Sequence, residues 1–351
     1  MTFEKKILAE MPKCYALGMF EGEDTPSFLA AVEKDGPIRR FTLDGEPLET
    51  VAPGPGGVMT ITQVPGRKDQ FLATRKFFSP NFGGDDAAIA SYTKQADGSW
   101  SEQILCDLPY VHRFGILKAA DGQLWVLACS IKGGAETGVK DDWRTPGAVW
   151  AAPLSDNLEQ YTADNQLKLT CVANYQVQNH GFWTVPDKSY ALISTAAGVF
   201  RYVPPTTPQG AWDVTCLLVQ PTSDIVATDF DGDGKLEILT FSKFHGDTLA
   251  IWHEGQTRDR YEQVWCDPQK RSFLHALWAA DLNGEKCAVI GNRKDGRDLL
   301  LVRYVDGEYT VDVIDHDLGP ANCMVYRHDG SDYIVAAYRE TDQLALYKVV
   351  E

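Results

Sequence analysis

Short stretches in which apolar residues alternate with polar ones, or follow one another in compact blocks, recur along the whole chain. Examples are FLAAVE, QFLATR, LEILTF and CAVIGN, each bounded by turns rich in Gly, Asp, Asn and Pro. A period of two marks strands, and long helical periodicity is almost absent. These stretches follow one plan seven times, beginning near Cys14, Val58, Tyr110, Val177, Thr222, Ser272 and Pro320. The fifth copy shows the plan: IVATDF, LEILTF, TLAIWH, YEQVWC. The seventh supplies only CMVYRH, YIVAAY and QLALYK before Glu351, and FEKKILAE, ahead of the first copy, matches the strand it lacks. A first strand that completes the last sheet closes a ring and hides its edges. The pattern predicts an all-β fold: a seven-bladed β-propeller of four-stranded antiparallel blades. Residues 1–351 form one domain, with strand 3–10 completing the blade of 320–351. A pair of β-sandwiches would explain the strands but not the fixed period.

Composition narrows the partners. With 44% hydrophobic and 23% charged residues, the chain is neither disordered nor fibrous. Lys and Arg total 33 against 49 Asp and Glu, a net charge of −16. Such a surface repels phosphate backbones and acidic membranes, so neither nucleic acid nor membrane is an expected partner. The first residues lack the apolar core of a signal peptide, and no stretch has the length of a membrane span. The eight cysteines contain no CxxC pair. Cys106, Cys171, Cys216 and Cys266 recur late in successive repeats, which reads as reduced core residues in a cytoplasmic protein.

One turn carries a cation pattern. In ATDFDGDGKLEIL, Asp229, Asp231 and Asp233 alternate ahead of Gly234, so a tight loop can aim several hard oxygens at one Ca²⁺, with Glu237 as a further oxygen. Asp-rich turns also occur without metal. This segment, with AADLNGEKCAVI in the same register of the next repeat, resembles the FG-GAP or VCBS-type repeat. The resemblance implies a propeller blade whose first two strands are joined by a structural calcium loop.

Histidines gather at another place in the plan. Early in each first strand one position can be compared across blades: Cys14, Met59, His112, His180, Ser223, His275 and Asn322. Innermost strands line the central channel, so equivalent residues converge near its axis. His245 follows the second strand of blade five, and that loop lies at the same end as the starts of the first strands. His112, His180, His245 and His275 are therefore candidate ligands for a divalent transition metal, with Zn, Mn, Fe and Ni not distinguished. The alternative is four hydrogen-bonded channel residues. The ends of second strands add Glu33, Arg75, Lys76, Lys243, Arg293, Tyr338 and Arg339, and Arg113 follows a ring histidine. Guanidinium groups suit carboxylates or hydroxyls, although such residues also pair with neighbours such as Asp295 or Glu340. Long insertions at this end, FFSPNFGGDD and SIKGGAETGVKDDWRTPG, bring Phe77, Phe78, Phe82 and Trp143 as candidate walls for a sugar ring. His253, beside Trp252, is read as structural, and the tryptophans as packing between blades.

No nucleophile elbow, P-loop, dinucleotide fingerprint or HExxH is present. The central histidines are similar to those of sugar lyases related to aldos-2-ulose dehydratase. The leading expectation is a metal-dependent lyase, dehydratase or isomerase acting on a sugar or sugar acid. In that reading Tyr338, Glu33 or His245 handles the proton. Arg75, Lys76, Arg113, Trp143, Lys243, Arg293 and Arg339 hold the substrate. Hydrolysis by a metal-bound water is the next chemistry. A propeller that binds a carbohydrate or protein without catalysis is the competing class.

Overall fold

The computed structural model describes residues 1–81, 83–134 and 139–350. Seven four-stranded antiparallel sheets form a ring of blades. The inner strands are Cys14–Glu21, Ile61–Gln63, Val111–Lys118, Gly181–Thr184, Asp224–Thr228, Leu274–Leu282 and Pro320–His328. In six blades the next three strands follow outward in chain order. In the seventh, Thr2–Glu10 is the outermost strand, antiparallel to Gln343–Val350 from Thr2 opposite Val350 to Glu10 opposite Gln343.

The apolar blocks have a geometric cause. Middle strands of a blade are covered on both faces, because successive side chains point to the two neighbouring blades. In Pro26–Val32, Phe28 and Ala30 pack against Met324, Val335 and Leu344 of blade seven. Leu29 and Ala31 pack against Ile61, Phe71 and Ala73 of blade two. Buried apolar clusters of this kind fill each of the seven gaps between blades. Among the described residues the helical content is one 3-10 turn, Leu158–Gln160, capped by the Asn157 side chain, which accepts from the Glu159 N–H. Among them no helix is long and apolar enough to cross a membrane.

The cysteines depart from the expectation of a shared core position. All eight are unpaired, but Cys171 and Cys266 are exposed, Cys216 is half-buried, and of the four only Cys106 is buried. They lie on fourth strands, where the gap between radiating blades widens and leaves one face to solvent.

Candidate functional site

The axis-facing position is built by a repeated backbone device. Lys13, Gly57, Tyr110, Gln178, Phe273 and Gly319 all adopt left-handed φ values between 53° and 70°. Two residues after each comes the side chain that enters the channel: Tyr15, Met59, His112, His180, His275 and Ala321. Blade five has Pro221 at the turn and brings Ser223. In four blades the pairing with the second strand skips this residue, so Tyr15, His112, His275 and Ala321 are β-bulges. A bulge leaves one residue unpaired and re-aims its side chain. Two of the seven expected ring positions are thereby displaced by one residue. Cys14 packs in the gap between blades one and seven, and Tyr15 takes its place. Asn322 instead donates to the Tyr15 carbonyl oxygen at 2.7 Å and accepts from Arg113 at 3.3 Å.

The four expected histidines do meet. Ring centroids are 4.5 Å apart for His112 and His180, 5.0 Å for His180 and His245, and 5.3 Å for His245 and His275. One ligand nitrogen from each of His180, His245 and His275 lies within 4.8 Å of the others. His180 Nδ1 is 3.0 Å from Asp224, and His275 Nδ1 is 2.6 Å from the Ala321 carbonyl oxygen. A carboxylate and a carbonyl only accept, so both Nδ1 atoms carry a proton and both Nε2 atoms face the rest of the group. Histidine ligands are oriented by this kind of outer partner. The Nε2 atoms of His180 and His245 are 3.4 Å apart, close to the spacing of two nitrogens held at about 2.0–2.1 Å by one tetrahedral ion.

Burial, reinforced by the neighbouring imidazoles and by Arg113 and Arg293, pulls His112, His245 and His275 well below the usual histidine range. All three are neutral at pH 7. Tyr15 joins the group unannounced by its sequence. Its hydroxyl is 3.2 Å from His275 Nε2 and 3.4 Å from His112 Nε2. Burial pushes it up to about 12, against the lowering influence of Arg113, so it is a protonated donor. His112 Nδ1 is buried with no hydrogen-bond partner, an unmet polar atom of the kind that marks functional sites.

The insertions close one end of the channel. Phe77 packs edge-on to His112 at 5.2 Å, and Trp143 packs on Phe244 at 5.0 Å. Phe244 and Phe273 stack on His245 at 3.9 and 4.4 Å. Asp141 N–H donates to Asn81 at 2.7 Å and ties the two insertions together. Phe82 lies outside the described residues. The cavity lies on the other side of the histidines. It has a volume of about 990 Å³ and runs along the inner strands from His275, Asp224 and Arg113 past Trp183 and Trp278 to Lys188 and Asp281. These two tryptophans therefore line the channel.

The remaining expected residues separate into groups. Arg113 lines the cavity and donates to the Met59 carbonyl oxygen at 2.8 Å. Arg293 lies over Phe273 at 4.7 Å and pairs with Glu340 at 2.6 Å. Arg339 pairs with Glu340 at 3.1 Å and with Glu33, so both charges expected to face a substrate are neutralised within one network. Arg75 turns outward to Glu102 at 2.8 Å. Lys243 is exposed and Lys76 half-buried at the capped end. Tyr338 is fully buried in the gap between blades six and seven, its hydroxyl bonded to that of Tyr347. The structure brings neither Arg75 nor Tyr338 to the histidines.

No family model matches the chain, and none of the curated proteins matches it. Among solved structures the chain is similar to one described as a streptogramin B lyase. The TM-score is 0.59 at 14% identity, over 99% of this chain and 98% of that one. At that identity the likeness concerns the ring of blades and not the residues within it.

Proposed function

We propose that the protein is a lyase or isomerase whose centre is a divalent transition metal held by His180, His245 and His275. The observation that carries this reading is the facing set of nitrogens, two of them oriented from behind by Asp224 and the Ala321 carbonyl. The neutral imidazoles of His245 and His275 suit a cation, since their lone pairs need no deprotonation. When bound, the metal would supply a positive charge against which negative charge on the substrate can develop. This chain's own groups would move the proton. The Tyr15 hydroxyl oxygen accepts it as its own proton passes to neutral His112 Nε2. Arg113, at the inner end of the cavity, would hold a carboxylate or hydroxyl.

The substrate class proposed is a sugar or sugar acid, bound in the cavity that Trp183 and Trp278 line, whose indole faces suit a sugar ring. A solved structure described as a lyase shares this ring of blades, which is compatible with elimination chemistry on the same scaffold. Exposed unpaired Cys171 and Cys266 suit a reducing, cytoplasmic setting.

The test is elemental analysis of untagged protein, followed by turnover assays on sugar acids and keto-sugars. About one equivalent of transition metal should disappear in His275→Ala. Tyr15→Phe should retain that metal yet lose about 100-fold or more in turnover. Metal-free wild-type protein, or carbohydrate binding that survives both replacements without turnover, would leave a non-catalytic binding propeller as the better account.

A further inference from the structure

A second group of ligand atoms lies on blade five, away from the central histidines. Asp231, Asp233, Glu237 and His253 each offer one atom within 4.8 Å of the others. His253 comes from the third strand, Thr248–Glu254, and the carboxylates come from the turn and the start of the second strand.

The turn is arranged so that its members have different tasks. Asp229 accepts from Gly232 N–H at 2.8 Å and Gly234 N–H at 3.1 Å, one bond to each oxygen, and so shapes the loop. The two glycines have φ of 76° and 88°, a conformation side chains resist. Asp231 and Asp233 each use Oδ1 for a backbone N–H, at 3.1 and 2.8 Å, which leaves each Oδ2 free of backbone bonds. Asp233 Oδ2 sits 3.1 Å from His253 Nε2.

Glu237 supplies the independent sign of a ligand. Its side chain is 0% exposed. Oε2 accepts the Phe230 N–H at 2.6 Å, but Oε1 is buried without a hydrogen bond and points into the cluster, 3.5 Å from His253 Nε2. An unmet carboxylate oxygen in a protein interior is costly. His253 Nδ1 is 2.7 Å from the Glu254 carbonyl oxygen. That bond holds the proton on Nδ1 and directs Nε2 at the carboxylates, the outer arrangement of a metal-binding histidine.

We propose that Asp231, Asp233, Glu237 and His253 form a site for one Zn²⁺-class divalent cation that pins the turn to the third strand of blade five. Ca²⁺ takes six to eight oxygens and has little use for imidazole. Three carboxylates and one directed nitrogen match four-coordinate zinc in number, and the imidazole favours it over calcium. The turn that resembles a calcium loop is thus completed by a residue read from sequence as structural.

Zinc stoichiometry and affinity, measured by equilibrium dialysis against zinc chloride, test this in four proteins: wild type, His253→Gln, Asp231→Asn and His180→Ala. Asp231 is exposed, so its replacement does not depend on refolding the interior. The expected result is one equivalent, separate from any held by the central histidines, whose affinity falls at least about tenfold in His253→Gln and Asp231→Asn and which remains in His180→Ala. A thousandfold excess of calcium chloride should not displace it. Undiminished zinc in both blade-five variants would overturn the proposal. So would displacement by calcium, or a His180→Ala protein that binds no zinc at all.

Discussion

Tyr15, His112 and His275 reach the axis because each follows a left-handed residue by two positions and is left unpaired by the second strand. The left-handed residue is glycine in two blades and carries a side chain in four: Lys13, Tyr110, Gln178 and Phe273. Side chains in that region cost roughly 1 kcal/mol or more. Tyr110 and Phe273 return contacts, packing on Phe77 and His245. Gln178 makes no comparable ring contact. Gln178→Gly should therefore raise stability by roughly 0.5–1 kcal/mol, read from urea unfolding, without displacing His180. A destabilised variant would mean that the Gln178 side chain contributes more than its backbone costs.

At the level of the element, blades one and two are joined by a polar clamp as well as by apolar packing. Arg40 is buried in blade one, within 2.6 Å of Asp24 and 2.9 Å of Glu49. Lys94 of blade two reaches both carboxylates at 3.0 Å, and Trp100 donates to Glu49 at 2.9 Å. Replacing Arg40 by Met removes the buried guanidinium that holds the partly exposed Asp24 and Glu49 together, and should cost about 2 kcal/mol in chemical unfolding. The Arg40 guanidinium, helped by Lys94, holds Asp24 well below the usual carboxylate range. Glu49 is also lowered, because bonds from Trp100, Arg40 and Lys94 outweigh its burial. Depressed carboxyls stabilise above their ordinary unfolded range and lose that contribution as pH falls through the folded range. Acid unfolding should accordingly show a smaller loss between about pH 4 and pH 2 for Asp24→Asn than for the wild type. Superimposable acid profiles would remove the clamp from the list of stabilising contacts.

For the whole molecule the decisive contact is ring closure. Thr2–Glu10 covers the edge of the last blade, and without it Gln343–Val350 presents unpaired backbone groups that template pairing with other chains. Deleting residues 2–10 should lower the melting midpoint by roughly 10 °C or more and produce aggregates on size-exclusion chromatography. A truncated chain that stays monomeric at an unchanged midpoint would show that the last blade is stable with three strands. The same closed ring gives the channel two unlike ends. Insertions from blades two and three cap one with Phe77 and Trp143, and the cavity lined by Trp183 and Trp278 lies toward the other.

The repeat of apolar blocks, the turn residues between them and the complementary termini determine the number of blades and their strands. Those are local properties: period-two alternation and chain reversal are written in neighbouring residues. The convergence of His112, His180, His245 and His275 was legible for the same reason, since equivalent positions in a closed ring must approach its axis. Tertiary structure alone decided which residue of each inner strand turns inward. A single bulge exchanges Cys14 for Tyr15 without changing the apolar pattern that alignment relies on. It also decided that Arg339 and Glu33 cancel each other, that Tyr338 is enclosed between blades, and that His253 faces the Asp231 turn. These depend on distances between residues far apart in the chain, and on which end of the channel the insertions cover. No local pattern of hydrophobic and polar residues encodes such distances.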